Sequence, residues 1–141
     1  MTDQPPLAVG LAAEHAVIFA YGPIGARLER EHVGLARDAD SAHRARRDAL
    51  LLRLAEQGVT PPAAAASYTL PFAVTDAADA LRLAVHVEER TAGVWRSLLA
   101  YTEADERQLA LDALVDCAVR ATEWRMAAGI DPVTRVYPGL V

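Results

Sequence analysis

Cysteine is nearly absent from the chain. The one thiol, Cys117, excludes an internal disulfide and any cysteine-based zinc site, and it reads as a small buried apolar residue. Aromatic residues are scarce, at 6%, while alanine is abundant; that mix disfavours a β-rich fold and suits closely packed helices. Basic residues are outnumbered by acidic ones, 14 to 19, and the net charge of −5 gives no electrostatic reason to expect nucleic acid or an anionic membrane as a partner. The opening MTDQPPLAVG lacks a basic segment ahead of an apolar run, so no signal peptide is expected. No apolar stretch reads as long enough to span a bilayer. Convincing internal repeats are also missing. What remains is 141 residues, 52% hydrophobic and 23% charged, the profile of one globular cytoplasmic domain with a single core.

The stretch Leu11–Leu28 organises this chain. Leu7, Leu11, Glu14, Ile18, Tyr21, Gly25 and Leu28 alternate at spacings of four and three, the seam of a helix packed against other helices. Glu14 therefore points where a leucine is expected, and a buried carboxylate needs a cation, a metal or a proton. The first helix is expected from Pro6 to Arg30 after a frayed, polar residue 1–5 lead-in, with a kink or local break near Tyr21-Gly22-Pro23 or a helix end at Gly22-Pro23. Gly22 and Gly25 would let a neighbouring helix approach. A turn in the polar stretch from Glu29 to Gly34 leads to a second helix from Leu35 to Gln57, capped by Gly58. Its apolar face holds Ala39, His43, Leu50 and Leu54, flanked by Arg46 and Arg47.

Val59–Val74, with Pro61, Pro62 and Pro71, reads as an extended crossover able to span roughly 50 Å, pinned to the bundle by Tyr68, Leu70 and Phe72. Thr75 is the expected N-cap of a third helix reaching Tyr101. Its seam is Leu81, Val85, Glu88, Ala92, Trp95 and Leu99, so Glu88 repeats the anomaly of Glu14. Thr102 with Asp105 forms a variant capping box for a fourth helix, with a core face of Leu111, Leu114, Ala118, Ala121 and Arg125. Gly129 and Pro132 end it. Val133–Val141 is expected to be non-helical and to dock on this bundle or on a second subunit.

Four helices with a short first link, a long crossover and a short last link form the ferritin-like topology. Counting from the turns places Glu14, Arg47 and Glu88 at one mid-bundle height. Di-iron bundles put a Glu on two helices there and Glu-x-x-His on the other two; here both Glu-x-x-His elements are missing. A guanidinium beside two carboxylates competes with a metal cation. The expectation is therefore a metal-free buried network of Glu14, Arg46, Arg47 and Glu88, with Tyr21 as a possible donor. The alternative is an iron or manganese site built from Glu14, His43 and Glu88, which requires the second helix to shift by about one turn. A third reading is a small-ligand cavity in the bundle core beside Ala118 and Ala121. His15 projects away from Glu14, His32 and His86 read as surface residues, and Arg125 either snorkels or pairs with Asp40.

The strings LAAEHAVIFAYG, AHRARRDALL, TPPAAAASYTLPF, VEERTAGVWRSLL and AVRATEWR together resemble the ferritin-like domain-of-unknown-function family of high-GC bacteria. The resemblance spans nearly the whole chain. It implies a four-helix ferritin-like fold without an established activity, and it carries no catalytic residues to transfer. Together these readings predict an all-α, ferritin-like four-helix bundle, without cofactor or catalytic residues, acting as a binding or scaffold module and assembling as a homodimer through a surface such as the tail residues Val136, Tyr137 and Leu140.

Overall fold

Helix α1 (Pro6–Arg27) opens with proline in its first turn, where a missing N–H costs nothing. In this computed structural model residues 3–140 are described; Met1 and Thr2 of the expected lead-in and Val141 of the tail lie outside the described residues. Helix α1 continues through Pro23 without a break or an end at Gly22-Pro23, because the buried Tyr21 and Ile24 on either side anchor it to the core. It stops at Arg27, three residues earlier than expected, since Leu28 and Glu29 are extended. One 3-10 turn, Arg30–His32, then feeds directly into α2 (Val33–Glu56). Beyond α2, Gly58 adopts a φ of 70°, as a C-terminal cap requires.

The crossover has no regular secondary structure, and its alternating Leu70, Phe72 and Val74 pack on the core. Tyr68 meets Phe19 with ring centroids 5.4 Å apart, and the His15 ring lies 3.1 Å from the Pro62 carbonyl. Helix α3 (Ala77–Leu98) is capped by Asp76, whose carboxylate accepts the Asp79 N–H at 2.8 Å. Thr75, expected in that role, instead donates its N–H and hydroxyl to the Asp79 carboxylate. A 3-10 turn, Leu99–Tyr101, precedes α4 (Ala104–Ala128). The expected Thr102 capping box does not form, because the Thr102 hydroxyl donates back to the Leu98 carbonyl at 2.9 Å. Gly129, at φ 68°, ends α4 in the left-handed conformation.

The result is an all-α four-helix bundle with a long second connection and a non-helical tail. Helix α1 packs on both α2 and α3, and α3 packs on α4. By length and composition α1 could cross a membrane, contrary to the sequence expectation, yet 56% of its apolar stretch is buried inside the bundle. It is a core helix of the bundle. One apolar cluster holds Leu7, Leu11, Leu50, Leu54, Trp95 and Leu114; the other holds Val17, Ile24, Ala39, Leu83, Val85 and Trp124. Between them lie the fully buried Glu14, His43 and Glu88. The seam of α4 runs through Ala110, Leu114, Cys117, Ala121 and Trp124. This is one residue out of phase with the expected face at most positions, so Leu111 is 42% exposed.

Close helix approach occurs at Gly10, not at Gly22 or Gly25. A Cβ on Gly10 would sit 2.2 Å from Trp95 Cη2, whereas one on Gly22 or Gly25 would meet nothing within 4 Å among the described residues. Gly10→Ala should therefore destabilise the bundle by about 1–3 kcal/mol through overpacking, despite a gain of about 1 kcal/mol in helix propensity. Gly25→Ala should be neutral or stabilising by up to about 1 kcal/mol. Urea unfolding of both variants checks the pair; a stabilised Gly10→Ala would refute the close approach.

Candidate functional site

The polar layer is centred on His43, which α2 inserts between α1 and α3. His43 Nδ1 lies 2.5 Å from Glu14 Oε2 and Nε2 lies 2.6 Å from Glu88 Oε1. Both ring nitrogens face carboxylate oxygens, so both must donate, which makes the ring an imidazolium. Glu14 Oε1 accepts from the Trp95 indole at 2.9 Å and from Arg46 NH1 at 3.1 Å. Arg46 extends outward and donates NH2 to Asp116 Oδ2 at 2.8 Å, and Arg120 Nε donates to that same oxygen at 3.0 Å. On the far side, Trp124 Nε1 donates to the Tyr21 hydroxyl at 3.0 Å, and Tyr21 donates to Glu88 Oε1 at 2.8 Å. Glu88 Oε2 is buried without a hydrogen-bond partner among the described residues.

Counted formally, the layer holds three carboxylates (Glu14, Glu88, Asp116) and three cations (His43, Arg46, Arg120), a neutral set. Burial alone lowers the His43 pKa, but hydrogen bonds and charge from Glu14 and Glu88 outweigh it and raise it to about 9. Burial raises that of Glu14, yet the His43 bond and charge, then Arg46 and Trp95, hold it below the usual carboxylate range. Asp116 is likewise held low by Arg46 and Arg120 against burial. Burial and the Glu88 charge push Tyr21 well above its ordinary value, and burial with the charges of Glu88 and Glu14 does the same to Cys117. Tyr21 thus remains a donor and Cys117 a thiol.

The structure brings together Glu14, Tyr21, Arg46 and Glu88 from the expected network but leaves out Arg47. That guanidinium turns outward to Asp48 on its own helix at 2.9 Å. The cause lies in the first turn. Centring the hairpin near residue 30 pairs Glu14 with Arg47; the observed extended pair Leu28-Glu29 moves the centre two residues back and the partner four, to His43. The one-turn shift reserved for the metal alternative is therefore the actual register. Arg125 pairs with Glu89 at 2.5 Å rather than with Asp40, which binds Arg44.

Trp95, Trp124, Asp116 and Arg120 complete the layer without having been expected in it. The four-and-three seam of Ala110, Leu114, Cys117, Ala121 and Trp124 would have found Trp124, and the four-residue spacing of Asp116 and Arg120 marks their pair. A cavity touching Ala118 and Ala121 is present, but it lies under the tail beside the exposed Val115 and Val119 and not within the bundle core as expected; Tyr21 and Trp124 pack on each other inside the core.

A His43 pKa raised from 6.5 to about 9 contributes stability that is complete below about pH 6.5 and lost as pH rises through about 9. Unfolding free energy should therefore fall by about 3 kcal/mol between about pH 6.5 and pH 10. Denaturant titrations across that range measure it, and a flat profile would mean that His43 is neutral.

No curated protein matches the chain. Its structure is similar to a crystal structure of a conserved hypothetical protein, rv2844, from Mycobacterium tuberculosis, with a TM-score of 0.83 and 42% sequence identity over 86% of this chain and 93% of that one. Residues 6–141 match the family described as a domain of unknown function, DUF4439. A match over nearly the whole sequence, including every residue of the polar layer, places this chain in the DUF4439 family.

Proposed function

We propose that this protein is a metal-free, ferritin-like bundle that serves as a cytoplasmic binding module, its mid-bundle carboxylates neutralised by His43 and Arg46 instead of by metal ions. The observation that carries the reading is the placement of His43. Its ring bridges Glu14 and Glu88 at 2.5 and 2.6 Å, the position between carboxylates that a cation must take. Arg46 covers the second oxygen of Glu14. With three cations already balancing three carboxylates, a divalent ion would have to expel the His43 proton and displace a guanidinium.

A second reading is a divalent-metal carboxylate protein. It is favoured by the unpartnered Glu88 Oε2 and by Glu14, His43 and Cys117, whose ligand atoms lie within 4.8 Å of one another. The high pKa of Cys117 and the engagement of both His43 nitrogens count against it.

Metal analysis of protein expressed with added iron and manganese separates the two. The expected result is far less than one ion per chain; about two ions per chain, lost in Glu14→Gln, would establish a dinuclear carboxylate site instead. The same reading predicts that His43→Gln, which leaves two buried carboxylates without their central cation, costs about 3–5 kcal/mol. Thermal or urea unfolding checks this, and a variant within about 1 kcal/mol of wild type would show that His43 is dispensable as a counter-charge.

A further inference from the structure

The cavity beneath the tail measures about 400 Å³ and lies between α3, α4 and the segment from Val133 to Gly139. That is the size range of small-molecule sites. Its far wall is built, not incidental. Gly139, at φ 80°, approaches α3 so closely that a Cβ would lie 2.8 Å from the Ala92 carbonyl oxygen. Arg96 NH1 donates to the Pro138 carbonyl at 3.0 Å, and Arg125 NH1 donates to that of Pro132 at 3.1 Å. The floor is α4, where Ala118 and Ala121 leave room that larger side chains would fill, and Val115 and Val119 present apolar surface.

Charge around this apolar space is unequal. Three guanidiniums line it, those of Arg96, Arg125 and Arg135, against one carboxylate, Glu89. Glu89 is already bridged by Arg125 at 2.5 Å and by Arg135 at 3.1 Å. The lining thus carries excess positive charge in a protein whose net charge is −5. Arg96 spends one of its bonds on the tail carbonyl and Arg135 one on Glu89, while a guanidinium has five N–H donors. An apolar floor beside surplus guanidinium suits a chain with an anionic head, and a carboxylate matches the planar fork of arginine. The volume admits one short chain, not a two-tailed lipid.

We propose that this cavity binds a medium-chain fatty carboxylate, its head at Arg96 and Arg135 and its chain along Val115, Ala118 and Val119. The proposal rests on the reading of the protein as a binding module and names the ligand class.

Calorimetric titration of the full chain with decanoate, decanol and decyltrimethylammonium tests it. Decanoate should bind saturably at one site per chain, decanol about tenfold more weakly or worse, and the cationic amphiphile not at all. Val119→Glu, at an exposed position outside the core, should abolish decanoate binding, and Arg96→Gln should weaken it about tenfold, with thermal melts confirming that both variants fold. Absent saturation, equal affinity for all three amphiphiles, or undiminished binding by Val119→Glu would overturn the proposal. So would a stable dimer in light scattering that dissociates in Val119→Glu and takes up no decanoate, for then a second copy covers this face. Metal content of the same samples keeps the readings apart: a metal-free chain that ignores decanoate refutes the ligand alone, and a metal-loaded chain that binds it refutes the metal-free assignment alone.

Discussion

A charged imidazole held between two carboxylates in the middle of a helical bundle is the constraint on which this structure depends. Removing Glu14, His43 and Glu88 completely from water is costly for each group taken alone. The three are tolerable only together, and only with the ring oriented so that each nitrogen meets one carboxylate. That fixes the rotation of α2 about its axis and its height against α1 and α3. Apolar packing alone would permit sliding by a turn, because alanine and leucine recur along each seam; a displaced His43 would leave Glu88 with only the neutral Tyr21 and Glu14 with Arg46 as its one cation.

The layer is reinforced from both sides by groups that are themselves immobilised. The Trp95 ring, seated over Gly10, brings its indole N–H to Glu14. Trp124 holds the Tyr21 hydroxyl, which in turn holds Glu88. Arg46 links the buried layer to Asp116 on α4, where Arg120 adds a second charge. The arrangement ties all four helices through polar contacts at one height, between two separate apolar clusters. Its internal neutrality leaves it no free charge for a ligand, whereas the cavity under the tail, proposed above as the recognition site, has unbalanced charge and open apolar surface.

Much of the architecture was legible in residue order. The seam of α1 identified Glu14 and Tyr21 as inward-facing, the repeat on α3 identified Glu88, and the prolines between residues 59 and 74 marked a crossover pinned by alternating apolar side chains. These depend on local periodicity, which a helix obeys wherever it packs. The errors were errors of phase between elements. Leu28 and Glu29 extend rather than prolong α1, a choice worth only a few residues locally, yet it replaced Arg47 by His43 at the centre of the layer. On α4 a one-residue difference in phase exchanged Leu111 and Arg125 for Ala110 and Trp124. At Thr75 and Thr102 plausible caps lost to competing bonds, one to Asp79 and one to the Leu98 carbonyl.

By itself, then, the sequence determined four helices, their order, the long crossover and the presence of two carboxylates that must be buried and compensated. The reason is that periodicity and side-chain chemistry are written along one chain segment at a time. Only the tertiary structure decided which cation compensates them, which indoles complete the layer, and on which side of Ala118 and Ala121 a cavity opens. Those outcomes depend on the relative height and rotation of helices far apart in sequence, and a shift of a single turn exchanges one partner for another.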